Sequence, residues 1–278
     1  MIDLLSGIFS FEFMRNALLA SLLVSLAAGV VGTLIVLNRI VFISGGIAHA
    51  AYGGVGLAYY FGVNPVLGAV GFSLLSALAM GLVHRRQHER ADTIIGVMWS
   101  IGMAIGIIFI SLSPGYKADL MSFLFGSILA VSALDLWMML AVTVLVALFV
   151  GFFYRGLLAM SFDETFSTVR NLPVETLYLV MILLIGLTVV ITMRVVGLIL
   201  VIALLTIPAA IANIFVKDMR QIMLLAVAIS VFFTAGGLLL SYLLNLPTGA
   251  VMILALSLGY LLALALRAAK ANRKNQAA

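Results

Sequence analysis

Cysteine is absent from the 278 residues, and charged side chains make up only 9% of them. Without cysteine, the chain can form no disulfide, no thiolate nucleophile and no zinc site of the cysteine type. Charged residues usually account for about a quarter of a soluble globular domain, so their scarcity excludes an ordinary water-facing surface. The hydrophobic share is 65%, which indicates that lipid faces much of the chain.

Long apolar runs without period-two alternation fill most of the sequence. Backbone groups in lipid must be hydrogen-bonded internally, so these runs predict an all-α bundle of membrane helices. A span needs about 20 apolar residues. We expect one membrane domain over residues 1–278 with about nine spans, although eight or ten also fit the pattern. The candidates are 16–37, 45–61, 66–83, 94–112, 135–154, 176–193, 197–214, 222–243 and 249–266.

Basic residues sort unequally between the two sides that nine spans create. Of the 15 Lys and Arg residues, 12 fall on one side and 3 on the other. Positive charge stays on the cytoplasmic side of a plasma membrane, so we expect the richer side and the C-terminus to be cytoplasmic. The richer side holds Arg39, Arg85, Arg86, Arg90, Arg155, Arg170, Lys217, Arg220, Arg267, Lys270, Arg273 and Lys274, and the other holds Arg15, Lys117 and Arg194.

A glycine-rich span contains His49, the one histidine that falls inside a predicted span. Residues three or four apart share a helix face, so Gly45, Gly46 and Gly53 flank His49, with Tyr52 close by. Intramembrane ionisable groups tend to face a pore or a partner, and imidazole is a common metal ligand. A histidine that only hydrogen-bonds across a packed helix pair fits the spacing equally well.

The connector at 155–175 predicts a short amphipathic helix on the cytoplasmic face. Ser161 and Glu164 have the spacing of a capping box, and Asp163 adds acidic charge at the helix start. Arg170 lies near the predicted end, where the helix dipole favours a cation. Docking of a cytosolic partner is a natural use of such a helix, although a solvated connector is the simpler interpretation.

The stretch 113–135 lies on the outer side of the predicted topology. Asp119 and Asp135 are its carboxylates nearest to an external mouth. Asp135 neighbours Trp137, which favours a surface carboxylate at the membrane interface.

Sequence motifs of several enzyme classes are missing. The sequence has no G-x-x-x-x-G-K-[ST], so it offers no P-loop for ATP. It also lacks H-E-x-x-H and G-x-S-x-G, the signatures of common hydrolases. His84 and His88 have a spacing that could bind a metal, but no third ligand accompanies them. Gly102 and Gly106 form a GxxxG pair that predicts tight helix packing.

Four stretches resemble the permease subunits of zinc, manganese and iron ABC importers. They are SGGIAHAAYGGVGLAY at 44–59, LFGSILAVSALD within 119–135, SFDETFSTVRNLPV at 161–174, and VGLILVIALLTIPAAIANI at 196–214 together with PTGA at 247–250. The resemblance covers nearly the whole chain. It implies a type II ABC importer fold and a non-enzymatic subunit that transports divalent metal ions by alternating access.

The resemblance also implies partners and roles for single residues. Two copies would form a homodimer around the translocation path, with His49 as a metal ligand in it. ATP-binding subunits carrying ATP and Mg²⁺ would dock at a coupling helix containing Asp163, Glu164 and Arg170. A substrate-binding protein would deliver the ion outside. The family's two aspartates in these motifs are replaced here by Gly45 and Ser127. Gly45, Gly46, Tyr52 and Gly53 would line the path with His49, and Asp119 and Ser127 would lie at the outer mouth.

Two other functions remain open at this point. A permease for a metal chelate such as a siderophore or cobalamin would have a similar architecture, although the His49 segment favours free ions. A self-sufficient secondary carrier would need internal repeats and an intramembrane carboxylate for ion coupling. Neither feature is evident in the sequence. The sequence does not identify the metal, because a single imidazole does not separate zinc from manganese.

Overall fold

The computed structural model describes residues 11–87, 90–114, 126 and 128–276, with residues 129 and 271–276 described by their backbone alone. These residues form ten α-helices and one 3₁₀ turn, Ile128–Ala130. The helices are α1 (Glu12–Leu37), α2 (Val41–Tyr60), α3 (Pro65–Arg86), α4 (Ala91–Leu112), α5 (Ala133–Phe162), α6 (Glu164–Val169), α7 (Val174–Val196), α8 (Leu198–Phe215), α9 (Met219–Leu244) and α10 (Thr248–Gln276).

Nine of the helices in the described part, all except α6, are long and apolar enough to cross a membrane. The predicted all-α bundle of nine spans is therefore confirmed. The helix ends differ from the predictions because hydrophobicity does not mark where a helix ends in water. Thus α5 runs eight residues past the predicted end at 154, to Phe162, and α2 begins at Val41 rather than at 45.

Local side-chain chemistry explains several helix starts. Ser132 and Asp135 form a reciprocal capping box at the start of α5, with the Ser132 amide 3.1 Å from Asp135 Oδ2. Asn64 accepts a hydrogen bond from the Val66 amide before α3, and Asp218 accepts from two amides at the start of α9. Such caps satisfy amides that would otherwise lack partners in the first helical turn.

Helices α1, α2 and α7 form the interior of the bundle. Most residues in their apolar windows are buried, whereas α4, α5 and α10 are buried on a minority of positions and present apolar side chains outward. Helix α1 packs on α5, α8 and α9, and α2 packs on α3, α4 and α7. A bundle in lipid needs no polar outer shell, so an outward apolar face is expected of the peripheral helices.

Helices α2 and α4 approach each other with glycine at the contact. A β-carbon on Gly102 would lie 2.6 Å from the Ala50 Cα, and one on Gly106 would lie 2.8 Å from the Tyr52 carbonyl carbon. Any larger side chain would push the backbones apart. The predicted packing role of the GxxxG pair is therefore confirmed.

The loops with most basic residues meet at one end of the bundle. Asn38, after α1, donates to the Ser161 hydroxyl near the end of α5 at 3.0 Å, and Arg220 of α9 lies over the Tyr154 ring. The opposite end joins Arg194 to Asp135 at 3.0 Å. The described loops that are rich in basic residues therefore lie at one end of the bundle and the others at the opposite end, as the charge pattern predicts. This arrangement does not depend on which side of the membrane each end faces.

Replacing Gly102 with alanine should destabilise the protein by about 1–3 kcal/mol, because the added methyl group meets backbone atoms of α2. We expect a lower thermal unfolding midpoint for the purified protein in detergent. Gly151→Ala is the matched control, since a β-carbon at Gly151 meets nothing within 4 Å. Equal unfolding midpoints for the two variants would contradict the close approach of α2 and α4.

Candidate functional site: a partly exposed histidine in a buried span

His49 occupies an unusual position in the middle of α2. Every other residue between Ile43 and Gly56 is buried, whereas His49 is partly exposed. Between these two residues the helix is thus enclosed by its neighbours except at His49. This opening lies on the α4 side of α2, where two further side chains surround the imidazole.

Trp99 and Met103 of α4 contact the His49 ring. The imidazole stacks on the Trp99 indole with ring centroids 4.0 Å apart and planes inclined by 19°. Its Nδ1 lies 3.2 Å from the Met103 sulfur, and Trp99 Nε1 donates to the same sulfur at 3.3 Å. All three side chains are partly exposed, so they form a small polar patch on the surface of a single copy.

The glycines that flank His49 differ in their surroundings. A β-carbon on Gly46 would lie 2.8 Å from Ile95 Cγ2, and one on Gly53 would lie 2.8 Å from the Gly102 carbonyl oxygen. Gly45 is different, because a β-carbon there would meet only Ile202 Cδ1 at 3.9 Å. Close packing therefore explains Gly46 and Gly53, and room remains at Gly45. Their place in a translocation path stays a prediction, as does that of buried Tyr52.

The predicted short helix in the connector is present as α6, but its cap was misassigned. Asp163, not Ser161, is the N-cap residue, and its Oδ1 accepts a hydrogen bond from the Phe166 amide at 2.8 Å. Ser161 belongs to the last turn of α5, where its hydroxyl accepts from Asn38. The capping-box interpretation was wrong because α5 extends further than hydrophobicity predicts. The helix ends at Val169, and Arg170 is its C-cap residue, whose guanidinium lies 5.3 Å from the centre of the Phe166 ring.

Glu164 links α6 to α3 through an ion pair that the sequence did not reveal. Its Oε1 lies 3.0 Å from Arg85 Nη2, and the Arg85 guanidinium also lies over the Tyr178 ring of α7 at 5.3 Å. The Tyr178 hydroxyl contacts His84 Nδ1 at 3.0 Å. Because Glu164 is about half exposed, the pair contributes more to the orientation of α6 than to stability.

Asp135 is not the surface carboxylate that the sequence predicts. It is 7% exposed, caps α5 and forms an ion pair with Arg194 of α7. The neighbouring Trp137 is exposed, as predicted for the interface. Asp119 and Ser127, the residues expected at the outer mouth, lie outside the described residues.

Sequence reasoning found His49 but missed Trp99 and Met103. A tryptophan and a methionine four residues apart are unremarkable in an apolar span, and only the phase of α4 against α2 brings them to the imidazole. No group of three or more His, Asp or Glu residues that could hold a metal occurs in the described part of the chain. His84 contributes to the network with Tyr178, and His88 lies outside the described residues.

Comparison with protein families places the chain in a known group. The model of the ABC 3 transport family matches residues 10–267. The chain belongs to this family. That match extends over all nine spans up to the last turns of α10, so the family assignment applies to the whole helix bundle. The protein is therefore a multi-pass membrane protein.

Relatives and a solved structure agree with this assignment. The chain is 54% identical to an uncharacterized membrane protein of Synechocystis sp., over 96% of this chain and 95% of that one. It is 34% identical to the manganese transport system membrane protein MntC of Listeria monocytogenes, over 93% and 92%. Its fold is similar to PsaBC from Streptococcus pneumoniae in complex with Fab, with a TM-score of 0.84 at 31% identity, covering 95% of each chain.

Substitution of Asp163 by alanine should loosen α6 without affecting the spans. The variant loses the acceptor for the Phe166 amide, which costs about 1 kcal/mol at a typical N-cap. We expect the Phe166 amide to exchange with solvent about fivefold faster in hydrogen–deuterium exchange. Asp163→Asn keeps an acceptor oxygen and serves as the control. Unchanged exchange in the alanine variant would refute Asp163 as the cap.

Proposed function

We propose that the protein is the permease subunit of an ATP-driven importer for divalent metal ions, and that two copies enclose the translocation path. The observation that carries the proposal is the partial exposure of His49 in the otherwise buried middle of α2. In an isolated copy the imidazole would face lipid, which costs free energy. A second copy that covers this face, with water between the two, removes the cost and places His49 beside the ion.

The proposed cytoplasmic partner is an ATPase that docks on α6. The sequence has no P-loop of its own, so ATP and Mg²⁺ would be bound by that partner. Phe162, Phe166 and Val169 around α6 are 65%, 54% and 77% exposed, at the end of the bundle with most basic residues. Exposed apolar side chains on a short capped helix outside the spans suit burial by another protein.

The contacts of α6 suggest how ATP hydrolysis would reach the path. Glu164 holds the end of α3 through Arg85. Helix α3 in turn approaches α2 at Gly54, where a β-carbon would lie 2.6 Å from the Gly68 carbonyl carbon. Movement of α6 would therefore be transmitted through α3 to the helix that carries His49. Coupling of this kind needs two packed states that the ATPase can bias.

The direction of transport follows from the charge pattern. With the basic end in the cytoplasm of a bacterial cell, the C-terminus is cytoplasmic and the Asp135–Arg194 end faces outward. A substrate-binding protein would dock at that outer end and deliver the ion. A path to which each copy contributes one imidazole binds the ion weakly, which suits passage because a tight site would slow release.

The cargo is a divalent transition-metal ion, with manganese, zinc and iron as the candidates. The relative named for manganese transport favours manganese. Membership in an ABC transport family disfavours the self-sufficient secondary carrier. A chelate permease remains the second candidate because it shares the architecture, and only transport measurements separate a bare ion from a chelate.

Replacing His49 with alanine should lower uptake of the transported ion at least tenfold, because the path loses its proposed metal ligand. The measurement is accumulation of radioactive manganese or zinc by cells that express the complete system. Trp137→Phe, far along the chain on the exposed face of α5, is the matched control and should transport normally. Unchanged uptake of every divalent metal by the alanine variant would remove His49 from the mechanism.

Charge reversal at the α3–α6 link should uncouple ATP hydrolysis from transport. In Glu164→Arg the new guanidinium faces Arg85, so α6 loses its attachment and transport per ATP falls. Exchanging both charges, with Arg85→Glu and Glu164→Arg together, should restore part of the ratio because the ion pair re-forms. The ratio is measured with the reconstituted importer in proteoliposomes. Normal coupling in Glu164→Arg would reject this route.

A further inference from the structure

The contact between His49 and Met103 of α4 suits one tautomer of the imidazole. A thioether sulfur has no proton and can only accept a hydrogen bond. If the 3.2 Å contact between His49 Nδ1 and the Met103 sulfur is a hydrogen bond, the proton is on Nδ1. A neutral imidazole carries one N–H, so Nε2 is left with a lone pair.

The two ring nitrogens of His49 differ in their hydrogen-bond partners. The structure gives it no hydrogen bond within the described part of the chain, whereas Nδ1 is engaged by Met103. Trp99 covers one face of the ring and donates to the same sulfur, which holds Met103 in place. Two contacts thus fix the ring, and one nitrogen remains available at a partly exposed position.

We infer that Met103 is a positioning residue that fixes His49 as the Nδ1–H tautomer and thereby presents the Nε2 lone pair to a divalent metal ion in transit. The inference rests on the proposed function. Metal-binding histidines usually donate their second N–H to a carboxylate, a backbone carbonyl or water. Here the acceptor is an uncharged thioether, which orients the ring without adding negative charge to the path.

The neutral acceptor has a consequence for how the ion is held. A carboxylate acceptor makes an imidazole a stronger ligand, whereas a thioether is only a weak acceptor. Gly45 lies one turn before His49 on α2, so no carboxylate joins His49 from that position. Orientation without strong binding gives a ligand that an ion can meet and leave, as conduction requires.

Trp99 provides an intrinsic probe for this arrangement. The chain has two tryptophans, so Trp137→Phe leaves Trp99 as the only one. A paramagnetic ion on His49 Nε2 would lie close to the stacked indole and quench its emission. The test titrates Mn²⁺ or Co²⁺ into the full-length single-tryptophan protein in lipid nanodiscs. We expect saturable quenching that is lost when His49 is replaced with alanine.

Met103→Leu is the decisive variant, because leucine conserves volume and removes the acceptor. The half-saturating metal concentration should rise by about tenfold or more, as for loss of an outer-shell partner at other metal sites. Met103→Gln supplies an amide oxygen of similar reach as an acceptor. Its half-saturating metal concentration should therefore lie closer to that of the parent protein. If Met103 served packing alone, Met103→Leu would raise the half-saturating metal concentration less than Met103→Gln does, and that result would overturn the inference.

The tautomer of His49 can be determined in the metal-free protein from ¹⁵N-histidine signals. The chain has three histidines, so replacing His84 and His88 with glutamine leaves His49 as the only ¹⁵N-histidine signal. We expect the Nδ1–H form in the parent protein and a loss of that form in Met103→Leu. An Nε2–H tautomer in the parent overturns the inference, whether or not the leucine variant folds.

The failures of the two proposals are distinguishable. An identical titration for Met103→Leu and its parent, or no saturable quenching in the parent, overturns the role of Met103 even if the complete importer accumulates metal. Absence of ATP-driven metal uptake by the wild-type importer overturns the proposed function instead.

Discussion

The candidate site depends on the close approach of α2 and α4. Gly102 and Gly106 remove the side chains that would separate the two backbones, and the contact fixes the rotation of α4. Trp99 lies three residues before Gly102 and Met103 lies three residues before Gly106, so with that rotation both side chains lie on the side of α4 that contacts α2. A histidine that would be an expensive ionisable group in lipid is thereby stacked, hydrogen-bonded and directed to one side of the bundle.

Much of the fold could be predicted from the sequence because lipid imposes a simple rule. Every span must be long, apolar and helical, and the nine runs satisfy that rule without reference to neighbouring helices. Helix ends were less predictable, since Ser161 and Asp163 compete for the same capping role and the length of α5 decides between them. Asp135 was misjudged for a related reason, because its partner Arg194 is distant in sequence.

The site was only half predictable. His49 stands out in the sequence as an ionisable residue within a span, but Met103 and Trp99 resemble any other apolar residues until the phase of α4 is known. The link from Glu164 to Arg85 is equally hidden, since it joins the end of α3 to a connector 79 positions later. The contacts of His49 with α4 and of Glu164 with α3 depend on how the helices pack, which the sequence does not show. Helices α3 and α4 both pack on α2.

The central claim is that His49 faces a water-filled path, and the absence of native cysteine allows a direct test. A cysteine placed at His49 should react with a charged, water-soluble thiol reagent, because thiolate forms readily in water and poorly in lipid. A cysteine at Leu148, on the exposed face of α5, is the lipid-facing comparison and should stay unreactive. We predict labelling at position 49 in at least one state of the ATP cycle, and an unreactive thiol there in every state would contradict the account.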